Sequence, residues 1–226
     1  MSAATIGVVD YGMGNLRSVQ KAIERVAGEA GLDAACEVVG TAEGISGCDG
    51  LILPGVGALG DGMLQLDRRG LEAAVHGVAA SGRPLLGVCL GMQLLFTTST
   101  EGPGGAAETV DGLGLIDGRV VEIEPVRGGE HVKVPQMGWN ALDWSGDDPL
   151  LSGLSPGCWV YFVHGYHAVV EDARDVLATT DYGGSIAAVV RSGNVWGTQF
   201  HPEKSQAVGL RMLANFAALV ADGVPA

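Results

Sequence analysis

Two short stretches, far apart in the chain, contain the residue types from which a cysteine hydrolase is built. The first, Gly87-Val-Cys-Leu-Gly91, places a thiol between two glycines. The second, Gln199-Phe-His-Pro-Glu203, places an imidazole close to a carboxylate. A cysteine nucleophile needs an imidazole to accept its proton and a third group to hold the imidazole ring. Cys89, His201 and Glu203 could therefore act as nucleophile, general base and orienting carboxylate.

The pattern around Cys89 predicts a strand that turns directly into a helix. Residues Leu85 to Val88 suit a buried strand of a parallel sheet, and Leu90 to Thr97 follow helical spacing. This G-x-C-x-G frame is the sulfur counterpart of the nucleophile elbow, a strained turn with glycine on both flanks. The start of a helix favours thiolate over thiol, and the Leu90 N–H would point at a developing oxyanion.

The alternative for Cys89 is a small buried apolar residue in a strand, which is the commoner role of a free cysteine. The elbow by itself does not decide between the two interpretations. The His-Pro-Glu stretch follows another predicted strand, and its proline fixes φ and bends the chain so that both side chains can turn toward one point. The two stretches together therefore favour catalysis.

The stretches Gly-Val-Cys-Leu-Gly-Met-Gln and Gln-Phe-His-Pro-Glu together resemble motifs of the class I, triad-type glutamine amidotransferases. Enzymes of that family hydrolyse the side-chain amide of glutamine and pass the ammonia to a partner. The resemblance implies that Cys89 is the nucleophile, His201 the general base and acid, and Glu203 the orienting carboxylate. It also implies one flavodoxin-like α/β domain over residues 1–226, with a mostly parallel sheet, helices on both faces and an antiparallel extension.

The resemblance further implies a second oxyanion donor and a glutamine pocket. Pro54-Gly-Val-Gly57 follows the third predicted strand and resembles the oxyanion strand, in which the Val56 peptide would act with that of Leu90. A plain tight turn is the alternative. The residues implied to hold L-glutamine are Gly55, Gly57, Gln93, Glu101, His164, Gly165 and Tyr166. Glu101 would pair with the α-ammonium, although a lone surface glutamate is usually only solvated. Gly165 replaces the usual hydroxyl residue.

Two further stretches resemble one branch of the family, the glutaminase subunits of imidazole glycerol phosphate synthase. They are Tyr11-Gly-Met-Gly-Asn15 and Pro135-Gln-Met-Gly-Trp-Asn140. The resemblance implies a heterodimer with a (β/α)₈-barrel cyclase subunit that uses the ammonia in histidine biosynthesis. The residues implied to meet that subunit are Met13, Asn15, Pro135, Trp139 and Lys204. Gln136 stands where histidine is commoner, and Trp139 in a glycine-flanked turn could instead fill the core.

Other functions remain open from the sequence. A glutaminase subunit of an anthranilate or pyridoxal phosphate synthase would share the cysteine elbow and the His-Pro-Glu stretch, but the Met-Gly-Trp-Asn stretch favours the first branch. A stand-alone cysteine hydrolase would act without glutamine or a partner. A non-catalytic interaction domain should have lost Cys89, His201 or Glu203, yet all three are present.

Length and composition argue for one compact globular domain and against several other classes. The 226 residues are 47% hydrophobic and 17% charged, which is enough apolar material for a single core. The 26 acidic and 13 basic residues give a net charge of −13, which argues against a nucleic-acid or anionic-membrane surface. A partner with a basic face and simple solubility explain this charge equally well. We find no pattern of a signal peptide or membrane span.

The four cysteines form no C-x-x-C pair, which disfavours both a zinc site and a disulfide framework. They are Cys36, Cys48, Cys89 and Cys158. This spacing predicts a protein of the reducing cytoplasm. The turn at residues 11–15 carries only a fragment of the dinucleotide fingerprint, too little to predict a nucleotide site. We therefore expect neither a metal nor an organic cofactor.

The remaining pattern predicts the elements that must position these residues. Early strands are expected at Thr5 to Asp10, Cys36 to Val39 and Asp49 to Leu53, with helices over Leu16 to Ala27, Leu64 to Val78 and Gln206 to Val220. From residue 115, period-two runs predict an antiparallel extension of the sheet at Leu115 to Glu122, Val132 to Val134, Trp159 to Val163, Val176 to Thr180, Ile186 to Val190 and Val195 to Phe200. Glycine-rich surface loops are expected around 102–118 and 127–130.

Overall fold

A computed structural model describes residues 3–101 and 109–222 of the chain. The strands are β1 (Ala4–Val9), β2 (Ala34–Val39), β3 (Gly50–Gly55), β4 (Leu85–Cys89), β5 (Phe96–Ser99), β6 (Val110–Asp111), β7 (Ile116–Glu122), β8 (Val126–Arg127), β9 (Glu130–His131), β10 (Gln136–Ala141), β11 (Trp159–His164), β12 (Tyr166–Val170), β13 (Val176–Asp181), β14 (Ser185–Ser192) and β15 (Val195–Thr198). The α-helices are α1 (Leu16–Ala30), α2 (Ala42–Gly47), α3 (Leu59–Arg68), α4 (Glu72–Ala80), α5 (Leu90–Leu94) and α6 (Gln206–Asp222).

The centre of the fold is a seven-stranded sheet in the order β13-β14-β15-β4-β3-β1-β2. Within this sheet the neighbouring strands β15, β4, β3, β1 and β2 pair in parallel. The strands β14 and β13 extend the sheet beyond β15 in antiparallel fashion. This confirms the predicted mostly parallel sheet. Because parallel strands bring their carboxyl ends to one edge, the ends of β3, β4 and β15 lie side by side, and in open α/β sheets that edge carries the site.

Both faces of this sheet are covered, which explains the continuous apolar runs of its central strands. Every residue of β3 and β4 is buried. Alternate residues point to two cores: Leu51 and Leu53 pack with the helices α3 and α4, and Ile52, Leu86 and Val88 pack with α1 and α6. The strand ends are therefore fixed from both sides.

Part of the C-terminal half forms separate, smaller sheets. The strands β12, β7, β5 and β6 form a four-stranded sheet, β10 pairs with β11, and β8 pairs with β9. The prediction of one antiparallel extension is therefore wrong for these strands, and Val132 to Val134 forms no strand. Period-two alternation shows which side chains share a face, but it does not specify the neighbouring strand.

Two helix predictions need correction. The segment from Leu64 to Val78 is not one helix, because Gly70 adopts φ +64° and separates α3 from α4. Leu64, expected in the buried stripe, is exposed. The helical run after the cysteine is also shorter than predicted, because Phe96–Ser99 leaves it to pair with β6 and β7.

The glycine-rich loop predictions have a mixed outcome. Residues 102–108 lie outside the described residues. The rest of the 102–118 segment contains β6 and the start of β7, so a simple loop is wrong there. Gly128 and Gly129 form the tight turn of the β8–β9 hairpin, where both have positive φ, at 56° and 85°. Within residues 3–101 and 109–222, no helix is long and apolar enough to cross a membrane.

Candidate active site

The cysteine lies at a strained junction between β4 and α5. Cys89 has φ 55° and ψ −110°, a conformation that residues with a side chain rarely adopt. The flanking glycines make this junction possible. A Cβ on Gly87 would lie 2.6 Å from the Gly91 carbonyl oxygen, and a Cβ on Gly91 would collide with the Leu53 carbonyl oxygen. The helix therefore approaches the strands closely enough to present the thiol at the sheet edge.

The imidazole and carboxylate lie on the turn that follows β15. Nδ1–H of His201 donates to Oε1 of Glu203 over 2.9 Å, and both side chains are almost wholly buried. The proline between them begins a 3₁₀ turn over Pro202–Lys204. This bond fixes the tautomer of the ring. The other ring nitrogen, Nε2, is buried and pairs with no oxygen or nitrogen among residues 3–101 and 109–222.

The backbone of this turn is tied to β11. The His201 N–H donates to the Tyr161 carbonyl over 3.1 Å. The Ser205 hydroxyl donates to the His201 carbonyl over 2.7 Å and accepts from the Tyr161 N–H over 3.0 Å. The strand β11 also supplies the Val163 carbonyl, which lies 3.9 Å from the Cys89 sulfur. The same strand therefore contacts the backbone of His201 and the sulfur of Cys89. Sequence reasoning did not assign a role to Ser205.

The protonation of the imidazole follows from this environment. Burial would lower the pKa of His201, but the interactions with the Cys89 sulfur and the Glu203 carboxylate outweigh it and raise the pKa to about 9. At neutral pH the ring is therefore an imidazolium. This is the partner that a thiolate requires, and it can later give its proton to a leaving group.

A cavity of about 220 Å³ opens beside the thiol. It is lined by Val56, Gly57, Cys89, Leu90, Gln93, Glu101, Val163, His164, Gly165, Tyr166, His201 and Lys204. All but one of the residues expected to hold glutamine are in this group. Gly55 is not, because it lies within β3 beneath Leu90. A larger groove of about 360 Å³ between α1 and α6 contains no cysteine or histidine.

One carboxylate in the cavity is held by a helix. Oε2 of Glu101 accepts from the N–H of Leu59, the first residue of α3, over 2.8 Å. Burial raises the pKa of Glu101, and this backbone hydrogen bond opposes the rise. The side chain is therefore fixed at the cavity wall, where its negative charge suits an ammonium group.

The amide of Gln93 is oriented by two acceptors. Its Nε2 donates to the Tyr166 carbonyl over 2.9 Å and to Oε1 of Gln199 over 3.1 Å. Both amide protons are thereby engaged, so the amide oxygen is the atom left to accept from a substrate N–H. Gln199 is fully buried, and sequence reasoning assigned it no role. An amide directly after the strand run that leads to His201 is the signal that could have identified it.

A second imidazole at the cavity remains neutral. Burial lowers the pKa of His164 to about 4, although a hydrogen bond to the Tyr166 carbonyl opposes this effect. Its Nδ1–H donates to that carbonyl over 2.8 Å. The Tyr166 carbonyl thus accepts from both His164 and Gln93, which fixes one wall of the cavity. His201 remains the charged imidazole next to the thiol.

The residues expected at a partner surface are half-buried or exposed. Trp139 is 39% exposed and packs edge-on against Tyr161, with ring centroids 5.9 Å apart. It lies in β10, so its predicted placement in a turn is wrong, and it does not fill the core. Met13 is half-buried, whereas Asn15, Pro135 and Lys204 are exposed. Gln136 is fully buried and donates to Asn140 Oδ1 over 3.0 Å.

Fold and site together have the arrangement of a cysteine hydrolase, with the thiol at the carboxyl end of a central parallel strand. In residues 3–101 and 109–222, no cluster of histidine, cysteine, aspartate and glutamate side chains could hold a metal ion. The family described as glutamine amidotransferase class-I matches residues 8–219. The chain belongs to this family and, within it, to the group of imidazole glycerol phosphate synthase subunits HisH.

Sequence relatives and a solved structure support this placement. The subunit HisH of Symbiobacterium thermophilum is 47% identical over 219 residues, covering 97% of this chain and 96% of the relative. The subunit HisH of Salinibacter ruber is 47% identical over 214 residues, covering 94% of this chain and 93% of the relative. A crystal structure of a glutamine amidotransferase from Thermotoga maritima matches with a TM-score of 0.67 over 99% of this chain and 100% of that chain. At 12% identity it supports the fold alone, and the predicted fold class is confirmed.

The raised pKa of His201 predicts the alkaline limit of activity. We expect kcat/KM for glutamine to fall above about pH 9, where the imidazolium loses the proton that the leaving ammonia needs. Glu203→Gln removes a charge that raises this pKa, so the alkaline limb should move to lower pH. Glutamate release measured against pH, in the complex with the cyclase subunit, tests both statements.

Glu29→Gln is the matched control, because Glu29 is an exposed carboxylate on α1 that pairs with Arg25 at the surface. Its profile should coincide with that of the unmodified protein. An alkaline limb that stays in place in Glu203→Gln would show that the carboxylate does not set the protonation of the ring.

Proposed function

We propose that the chain hydrolyses L-glutamine to glutamate and ammonia and delivers the ammonia to a cyclase subunit of imidazole glycerol phosphate synthase. That subunit would use it to form imidazole glycerol phosphate and an aminoimidazole carboxamide ribonucleotide in histidine biosynthesis. The observation that carries the proposal is the buried His201–Glu203 pair beside Cys89, at a cavity with a fixed carboxylate. The names of the relatives specify the synthase, and its place in histidine biosynthesis is part of the proposal.

The first half of the reaction forms a thioester. The Cys89 thiolate attacks the carboxamide carbon, and the carbonyl oxygen takes up negative charge at the N–H groups of Val56 and Leu90. Both of these residues line the cavity beside the sulfur. The C–N bond then breaks as the His201 imidazolium gives its proton to the leaving nitrogen. Ammonia and a glutamyl thioester on Cys89 result.

The second half regenerates the enzyme. His201, now neutral, accepts a proton from water while the water oxygen attacks the thioester carbon at the same oxyanion position. The C–S bond breaks, glutamate leaves and the thiolate–imidazolium pair is restored. Glu203 holds the ring in one orientation throughout, since its hydrogen bond at Nδ1 leaves Nε2 for proton transfer.

Recognition of glutamine follows from the cavity wall. The Glu101 carboxylate suits the α-ammonium, and the Gln93 oxygen suits an N–H of the substrate. Backbone groups near Gly57, Gly165 and Tyr166 would hold the α-carboxylate, with the neutral ring of His164 behind them. Gly55 would contribute by its lack of a side chain. Gly165 offers no hydroxyl, so its contribution is limited to the peptide.

We assign the partner surface to Met13, Asn15, Pro135, Trp139 and Lys204. Lys204 lines the cavity, and a Cβ on Gly57 would lie 2.9 Å from Met13 Cε, so this surface adjoins the site. A partly exposed aromatic side chain suits a protein interface, and Trp139 packs on Tyr161, whose carbonyl accepts from the His201 N–H. The occupant is a (β/α)₈-barrel cyclase subunit in a heterodimer. We place the complex in the cytoplasm, in keeping with the cysteine spacing.

The first test of this function separates release of ammonia from glutamine, on this chain, from use of ammonia, on the cyclase subunit. Cys89→Ala should abolish glutamine-dependent synthesis by the complex and leave synthesis from added ammonium salts intact, because the cyclase site lies on the other subunit. Product formation with each nitrogen source is the measurement. Cys158→Ala, which removes a half-buried thiol outside the cavity, should leave both activities unchanged. Loss of synthesis from both nitrogen sources in Cys89→Ala would contradict the assignment.

The second test concerns control by the partner. Val56 is 44% exposed and is followed by Gly57 at φ +100°, so the oxyanion peptide can reorient at low steric cost. A missing oxyanion donor costs about 2.7 to 4 kcal/mol in the barrier. A loop that supplies this donor only in the complex would keep the isolated chain slow. We therefore expect the cyclase subunit and its nucleotide ligand to accelerate glutamate release.

Trp139→Ala should weaken complex formation or the acceleration that the complex provides. If the residue is central to the interface, the loss in binding free energy should be about 2 kcal/mol. Trp139→Phe keeps a ring and should retain most of the effect. Glutamate release with and without the cyclase subunit is measured, with circular dichroism to verify the fold. Full activity of the isolated chain, or a Trp139→Ala complex that equals the unmodified one, would refute partner control.

A further inference from the structure

The turn between β1 and α1 contains a tyrosine that the triad chemistry does not use. Tyr11 is fully buried, and its hydroxyl donates to the Pro54 carbonyl over 2.7 Å. Pro54 belongs to β3, immediately before the residues proposed to supply the oxyanion donor. A side chain from one loop thus holds the backbone of another at the site edge.

The strand is closely packed at this point. A Cβ on Gly55 would collide with the Tyr11 hydroxyl and would lie 2.9 Å from Leu90 Cβ. The neighbouring turn also approaches it, since a Cβ on Gly14 would lie 3.5 Å from Gly55 Cα. The tyrosine hydroxyl and the first residue of α5 therefore both pack closely on Gly55, which leaves this part of the strand little freedom.

The register connects this contact to the nucleophile. Pro54 pairs with Val88, and Gly55 pairs with Cys89, across the β3–β4 ladder. The Pro54 carbonyl belongs to the peptide that precedes the Gly55–Val56 peptide. With that peptide held, only the φ and ψ of Gly55 set the direction in which the next N–H, that of Val56, points.

We propose that Tyr11 is a positioning residue for glutamine hydrolysis, whose hydroxyl holds the Pro54–Gly55 peptide so that the following peptide presents the Val56 N–H to the oxyanion. This inference rests on the proposed function of the site. It places the fixed end of the oxyanion strand at Pro54 and confines any reorientation to the peptides after Gly55.

The hydroxyl is suited to a permanent hydrogen bond. Burial raises the pKa of Tyr11, and the nearby Cys89 sulfur raises it further, so the group stays protonated and keeps donating. It does not exchange protons with the substrate. Without the Tyr11 hydroxyl, the buried Pro54 carbonyl would lose this hydrogen bond, and the Pro54–Gly55 peptide would gain alternative orientations.

Tyr11→Phe removes the hydroxyl and keeps the ring, so it tests this contact directly. Loss of a complete oxyanion donor lowers kcat by about 100- to 1000-fold. In Tyr11→Phe the donor is misplaced for only part of the time, so the loss should be smaller than that. We expect kcat for glutamine to fall about tenfold and KM to change by less than about twofold. The assay uses the complex at saturating cyclase subunit and its nucleotide ligand.

Alkylation of Cys89 by iodoacetamide distinguishes positioning from general loosening. This displacement forms no oxyanion, so its rate in Tyr11→Phe should match that of the unmodified complex. Tyr182→Phe is the matched control, because the Tyr182 hydroxyl also donates to a backbone carbonyl, that of Lys133, over 2.7 Å, outside the cavity. It should leave kcat and alkylation unchanged.

Two results would overturn the inference while the proposed function stands. One is a kcat in Tyr11→Phe equal to that of Tyr182→Phe. The other is an alkylation rate that falls in parallel with kcat, which would show damage at the thiol itself. If the unmodified complex released no glutamate from glutamine, the proposed function would fail, and this inference would fail with it.

Discussion

The positive φ of Cys89 is the constraint on which the site depends. A non-glycine residue in such a conformation costs about 1 to 3 kcal/mol and persists only where the surroundings leave no alternative. Here β4 is buried on both faces, and the two glycines around the cysteine let α5 pack against β3. The two cores of the sheet therefore hold the strained turn, and the turn places the sulfur at the edge where β3 and β15 also end.

The two imidazoles of the site are both buried, and their different partners give them different charges. The ring of His164 donates only to a carbonyl and stays neutral, whereas His201 faces a sulfur and a carboxylate and stays protonated. A pKa raised in the folded state gives stability that is complete below the unfolded value of about 6.5. That contribution is lost as pH rises through about 9. The protonated ring of His201 therefore also stabilises the fold in neutral solution.

Much of this arrangement was predictable because it rests on local pattern. The glycines around Cys89 and the proline after His201 predicted the triad, and the parallel strands predicted one common edge. Contacts made across the chain were not predictable. The Tyr11 hydroxyl and the Gln199 amide act on backbone and side chains that lie far away in sequence. For the same reason Phe96 and Thr97 were expected to be helical, because the pairing of β5 with β7 joins segments far apart in sequence.

The central claim is that the Cys89 sulfur forms a covalent bond to the substrate carbonyl. The most direct measurement is an acid quench of the complex during turnover of glutamine, followed by peptide mass spectrometry. A glutamyl thioester should be found on the peptide that contains Cys89 and on none that contains Cys36, Cys48 or Cys158. A thioester on another cysteine, or hydrolysis that continues with Cys89 replaced by alanine, would contradict the account.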